Sequence, residues 1–140
     1  MSQENVELMY RAFDALSRHD FDAFVALMDD DVEIIPRMSA IEGESGYSGH
    51  EGLSRWWSSL LDVFPDYSME VVEVRDLGDL TFATFHARGR GAGSATPTDQ
   101  ATWMMVRWRR GKCVWLRTFD TRAEALEAVG LSEQDARAES

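Results

Sequence analysis

Asp120, His86 and Arg88 are the side chains of this sequence whose types suit proton transfer and charge stabilisation on a small molecule. A carboxylate in a pocket takes or gives a proton, and an imidazole with an ordinary pKa near ~6.5 does either near neutrality. A guanidinium holds an enolate or a carboxylate. Each also has a structural alternative. Asp120 directly precedes Thr121 and Glu124, whose spacing is that of a helix capping box. A carboxylate at such a helix start is itself favourable by about 0.3–1 kcal/mol. A lone histidine on a strand is more often a hydrogen-bonded wall residue, which makes catalysis the minority reading of His86, and Arg88 reads equally as a salt-bridge partner of Asp120. His50 and Glu51 open a helix, and Glu33 follows an acidic run facing solvent. No Ser–His–Asp order, phosphate loop or metal motif is present. Cys113 is the single cysteine, so there is no intrachain disulfide, and no His or Cys cluster suggests zinc. Neither a metal nor a cofactor is expected.

The elements that would position these groups follow from periodicity. Val6, Met9, Tyr10, Phe13 and Leu16 recur at helical spacing after Ser2. Asp20 caps a second short helix with Phe21, Phe24, Val25 and Met28 on its apolar face. "VEIIP" is a short strand stopped by Pro36, and a loop rich in Gly and Ser runs over 39–49. A third helix carries Leu53, Trp56, Trp57, Leu60, Leu61 and Phe64 on one side, with a capping box from Ser48 to Glu51 and Pro65 past its end. Four strands follow, at Ser68–Asp76, Leu80–Arg90, Thr98–Arg109 and Lys112–Phe119, with tight turns at "DLGDL" and "RRGK". "GAGSATP" is the loose connection between the middle two. A last helix starts just after Phe119 and stops near Val129, ahead of Gly130. Helices and a short strand, then a meander, then a helix make an α+β domain. Its curled sheet, partly closed by helices, encloses a cavity for a small ligand.

The chain has 140 residues, enough for one domain with a sizeable core. With 14 basic and 25 acidic residues its net charge is −11, which repels phosphate backbones and anionic membrane surfaces. Neither nucleic acid nor a membrane is an expected partner. The start "MSQENVELMYRAF" lacks a basic region followed by an apolar run, and no segment approaches ~20 apolar residues. The expectation is a soluble, cytoplasmic protein.

Strand alternation predicts which side chains meet. A three-residue hairpin loop of Arg109, Arg110 and Gly111 sets Trp108 opposite Lys112. Thr102, Met104, Val106 and Trp108 then share a face with Val114, Leu116, Thr118 and Asp120, apolar with polar groups at one end, as a pocket wall should be. The alternate set, Trp103, Met105, Arg107, Arg109, Trp115, Arg117 and Phe119, mixes aromatics with arginines and suits a dimer interface. A two-residue loop would reverse this parity.

The order and spacing of "LMYRAFDALSRHDFDAFVALMDDDVEIIP", "YSGHEGLSRWW" and "RRGKCVWLRTFDTRAEALEAVGL" resemble the nuclear transport factor 2-like superfamily, and within it the SnoaL-like, polyketide cyclase-like branch. The resemblance covers nearly the whole chain, as a SnoaL-like domain over 1–131 with a polar tail at 132–140. It implies a cone-shaped α+β fold, its N-terminal helices packed on a curled, mainly antiparallel sheet around a pocket. It also implies a homodimer formed through the sheet. It does not imply one chemistry. The steroid isomerase pattern would need its tyrosine near Ala12, its base near Ile35 or Pro36 and its neutral acid near Met104, and none of these moves a proton. Cyclases of the SnoaL type look closer, with an aspartate late in the last strand that Asp120 matches.

Comparison with the steroid isomerase pattern turns Phe82, Thr84, His86, Arg88 and Arg90 inward. His86, Arg88, Thr102, Thr118 and Asp120 then converge at one end of the cavity. The expected function is an isomerase, cyclase or lyase using cofactor-free acid–base catalysis on an apolar, carbonyl-containing substrate. Asp120 would carry the proton, His86 would be its partner and Arg88 the stabiliser of negative charge. Thr102, Met104, Thr118, Trp57, Tyr10 and Phe13 would bind the substrate. The alternative is a non-catalytic domain of the same fold that binds a hydrophobic ligand or supports dimerisation.

Overall fold

The computed structural model describes residues 2–35, 46–90, 98–119 and 121–128. Helix α1 (Ser2–Ser17) buries Leu8, Met9, Ala12, Phe13, Ala15 and Leu16. Tyr10 lies about 100° around the helix from Met9 and leaves that stripe, 49% exposed. Helix α2 (Phe21–Val25) begins at Asp20, whose side chain accepts the Ala23 N–H at 3.1 Å. Strand β1 (Met28–Ile35) starts earlier than its pattern suggests and takes Met28 from the predicted helix. Strand β2 (Tyr47–Ser48) falls inside the stretch read as loop. It pairs with β1 at Glu33 and Ile34, directly after Gly46. A Cβ on Gly46 would lie 2.7 Å from the Ile34 carbonyl oxygen, so only glycine lets the chain approach there. Two residues are too short a run for any periodicity to show.

Helix α3 (Gly49–Val63) has Ser48 at its N-cap position, but the Ser48 side chain makes no capping hydrogen bond. The predicted capping box with Glu51 is therefore absent, although the helix starts where expected. Strands β3 (Ser68–Leu77), β4 (Leu80–Gly89), β5 (Thr98–Arg109) and β6 (Lys112–Phe119) form the predicted meander. Helix α4 (Arg122–Ala128) closes the described chain.

The six strands form one sheet in the order β2-β1-β6-β5-β4-β3. Only β1 and β6 run parallel; every other pair is antiparallel. Helix α1 packs on β3 and β4, α3 on β1 and β2, and α2 touches both helices, so the three cover one face. Between them and the sheet lies the main core, including Phe24, Val32, Ile34, Leu53, Phe85 and Leu116. Helix α4 packs on the other face, where Ala125 and Leu126 join Leu80, Phe82, Met105 and Phe119 in a second cluster. The architecture is the expected α+β class. Among the described residues no helix is long and apolar enough to cross a membrane.

The hairpin between β5 and β6 differs from its prediction in an instructive way. Arg109 pairs with Lys112, leaving a two-residue loop of Arg110 (φ 53°) and Gly111 (φ 78°), both left-handed. Such a loop alone would reverse the parity. A bulge restores it, because Arg107 pairs with Trp115 while Trp108 pairs with Cys113, which makes Val114 the extra residue. Leu116 and Thr118 therefore still share a face with Val106 and Met104, and Cys113 takes the inner place expected for Val114.

Candidate functional site

The inner face of the sheet changes character along its strands. At the β5–β6 hairpin end it encloses an apolar cavity of about 10 Å³ whose lining includes Met9, Phe13, Met28, Met104, Trp108 and Cys113. Ala12 lines it too, so two positions where the steroid isomerase pattern would need a proton donor, 12 and 104, face apolar space. The Cys113 thiol is fully buried and donates to the Trp115 carbonyl at 3.6 Å. Burial pushes its pKa up to about 12, which keeps it an un-ionised, inert thiol. The Trp108 indole N–H donates to Thr81 Oγ1 at 2.9 Å, and the Thr81 hydroxyl in turn donates to the Met9 sulfur at 3.5 Å. This short chain links β5, β4 and α1 across the closed end.

Toward the other end the same face becomes polar. Met104 pairs with Ala83 on one side and Thr118 on the other, and Thr102 pairs with Phe85. Thr102 is buried, and its hydroxyl donates to the Gln100 carbonyl at 3.3 Å. Phe85 packs against Phe13, ring centroids 5.2 Å apart. Of the predicted substrate-binding residues, Thr102, Met104, Thr118 and Phe13 thus share one region. Trp57 is part of the main core, but it packs edge-on against Phe21 at 5.2 Å within the helical layer rather than lining the cavity. Tyr10 points to solvent.

Strand β4 carries the clearest correction. It turns its odd residues, Ala83 and Phe85, into the main core, and Phe82 into the second cluster with α4. His86 and Arg88 share the parity of Phe82 and lie on the outer face. The expected inward orientation of both is wrong. They are held there by charge. The His86 Nδ1 is 2.6 Å from Asp99 Oδ1, Arg88 Nε donates to Asp99 Oδ2 at 3.1 Å, and Arg88 Nη2 is 2.7 Å from Glu70 Oε1. The hydrogen bond from His86, and behind it that from Arg88, holds the Asp99 carboxyl below the ordinary carboxylate range. Asp99 is the functional-looking residue that sequence reasoning missed. Its pairing with Arg88 depends on a register across the 91–97 connection that no local pattern reveals.

Asp120 lies outside the described residues, and so does the tail 132–140. The helix beyond Asp120 has its own cap. The Thr121 Oγ1 accepts the Glu124 N–H at 3.2 Å and its hydroxyl donates to Glu124 Oε1 at 3.1 Å. On the outer face, α4 covers Met105 and Phe119 and leaves Trp103 and Trp115 half-buried. The Arg117 guanidinium lies over the rings of Trp115 and Phe119, at 5.7 and 5.2 Å, and its buried Nε has no hydrogen-bond partner among the described residues.

Residues 9–115 match the family described as the SnoaL-like domain, which is more than half of the chain. No curated protein matches. Among solved structures, the chain is similar to a putative SnoaL-like polyketide cyclase from Jannaschia sp., with TM-score 0.74 and 20% identity over 91% of each chain. It is also similar to a hypothetical protein with a ketosteroid isomerase-like fold from Catenulispora acidiphila, solved in complex with trimethylamine (TM-score 0.73, 18% identity, 89% of this chain and 93% of that one). A third, TerC co-crystallised with polyporic acid, gives TM-score 0.73 and 17% identity over 89% of this chain and 96% of the other. At these identities the likeness is one of fold.

Proposed function

The chain belongs to the SnoaL-like domain family, and on that premise we propose that it is a small-molecule enzyme of the isomerase, cyclase or lyase kind. It works by cofactor-free acid–base catalysis on an apolar substrate that carries a carbonyl. Asp120 is the proton carrier. The observation that supports this reading is strand parity: Leu116 and Thr118, even positions of β6, face the inner side, and Asp120, outside the described residues, is the next even position in the sequence. Thr121 caps α4 by itself, so the chain has no need of Asp120 as a helix cap. The Asp120 carboxylate takes the proton from carbon next to the carbonyl, the C–H electron pair becomes the C=C bond of an enolate while the carbonyl π pair moves onto its oxygen, and the proton is returned to another atom of the substrate. Donation at neutral pH requires burial to raise the carboxyl pKa. The charge on the enolate oxygen needs hydrogen bonds, and Thr102, on turning its hydroxyl from the Gln100 carbonyl, and Thr118 are the described hydroxyls on that stretch of the face. His86 and Arg88 drop out of the machinery, since the sheet stands between them and this face.

Exchange of α-protons for deuterium in small cyclic ketones, followed by NMR in D2O, tests the proposal without knowledge of the natural substrate. Wild type should accelerate the exchange. Asp120→Asn should lower it by about 10²–10⁴-fold with an unchanged melting temperature. A variant that exchanges as fast as wild type removes Asp120 from the chemistry.

The second reading, a domain that binds a hydrophobic ligand without turning it over, has its own support. Around the cavity and its threonine end the only titratable group among the residues named is Cys113, held un-ionised. Under this reading Asp120→Asn binds and melts as wild type, and neither protein exchanges protons. We propose further that two copies pair through the part of the outer face that α4 leaves open, around Trp103, Trp115 and Arg117. Trp115→Glu should then convert a dimer to a monomer in light scattering, and a wild-type monomer at high concentration removes the pairing.

A further inference from the structure

The cavity at the hairpin end is closed by unusually adaptable walls. Met9, Met28 and Met104 reach it from α1, β1 and β5, and each methionine side chain is unbranched with several rotatable bonds. Its interior offers water nothing to hold. The polar groups of the lining side chains are already engaged, the Cys113 thiol with the Trp115 carbonyl and the Trp108 indole N–H with Thr81 Oγ1, while a buried water needs two to four polar partners. A space of about 10 Å³ is at the lower limit for even one water. A dry void costs its lining the dispersion contacts that an apolar group would restore.

The void also stands in line with the polar end of the face. Met104 lines it and is the direct cross-strand neighbour of Thr118, while Thr102 lies two residues along the same strand, about 7 Å away. Met104 therefore separates the void from the threonines. At the opposite end Trp108 is pinned by its hydrogen bond to Thr81 and cannot swing aside without leaving its indole N–H unpaired in the core. One wall yields and the floor does not.

We propose that this void is an expandable apolar subsite for the tail of the ligand, gated by Met104, with Trp108 setting the longest tail it accepts. It rests on the reading that a carbonyl-bearing ligand occupies the inner face, and it names the ligand class more closely: a carbonyl group at the threonine end and an unbranched or slim hydrocarbon end, without hydrogen-bonding groups, directed at Trp108. Bulk on that end meets the fixed indole; length is accommodated by methionine rotation up to it.

A homologous series of 2-alkanones, from butanone to decanone, is the probe, titrated against protein carrying ¹³C-labelled methionine methyl groups. Affinity should rise about three- to fourfold per added methylene and then level off, with the methyl signals of Met9, Met28 and Met104 moving as the tail lengthens. Met104→Leu keeps the volume but stiffens the gate, and it should flatten the rise with chain length. Trp108→Phe should move the plateau to longer ketones. Ketones that bind with no movement of these three methyl signals overturn the subsite and leave the acid–base reading standing. A plateau unmoved in Trp108→Phe removes Trp108 as the limit. Absence of binding by any ketone overturns the occupied inner face itself, and with it both readings.

Discussion

Phe85 and His86 are neighbours in sequence and lie on opposite sides of one sheet, and the two sides are built differently. The inner side is held by exclusion of water: Phe85 is packed on Phe13, and the cavity beside them has almost no polar lining. The outer side at the same level is held by polar pairing: Arg88 forms ion pairs with Asp99 and Glu70, and His86 a hydrogen bond with Asp99, in contact with solvent. Further along, the outer side becomes apolar again around α4, with half-buried Trp103 and Trp115 at the margin of that cluster. The difference teaches where selectivity can reside. An apolar cavity that retains unfilled space can discriminate ligands by shape, whereas paired surface charges are largely satisfied and screened.

The sharpest way to break this division is to remove the residue that maintains it. Deleting Val114 removes the β6 bulge and sets the two-residue turn against the parity of Leu116 and Thr118. The loss should exceed about 4 kcal/mol, seen as failure to show a cooperative thermal transition by circular dichroism. A deletion variant that melts like wild type would mean that the bulge does not determine the faces. A smaller effect separates the two neighbours. Phe85→Ala should cost about 3–5 kcal/mol in urea denaturation, while His86→Ala should leave the midpoint nearly unchanged. Equal effects would erase the contrast.

The smallest effect is electrostatic. Because Asp99 titrates below its unfolded value, it binds fewer protons when folded. Its contribution to stability is therefore present above the ordinary carboxylate range and lost as pH falls through its lowered pKa. Asp99→Asn should slightly reduce the difference in denaturation midpoint between pH 6 and pH 3, with most of the change at low salt. An acid limb identical to that of wild type would show the pair to be idle.

Much of the framework was legible. The limits of β5 and β6 fall where alternation and the turn residues place them, and Asp20 and Thr121 cap the helices they were expected to cap. These features depend on residues within one turn or one hairpin of each other. The candidate site was legible only in part. Thr102, Met104 and Thr118 were placed on the inner face for a partly mistaken reason, since the loop is shorter than expected and Val114 compensates. His86 and Arg88 were placed on the wrong side, because β4 was oriented by comparison with another pattern rather than by its own contacts. The partners that hold them outside, Glu70 and Asp99, come from two other strands.

By itself the sequence determined the alternation within each strand, the apolar stripe of each helix and the caps, because these arise from chemistry between near neighbours in the chain. It also determined that the pocket wall would be mostly apolar, since the alternate positions Met104, Val106, Trp108 and Leu116 are all apolar. Only the tertiary structure decided which side of the sheet each strand turns toward the helices. That choice is binary and belongs to the whole strand. A single extra residue at Val72 or Val114 shifts it without altering composition or periodicity enough to be read. Burial of one complete face against the helices selects between the two outcomes.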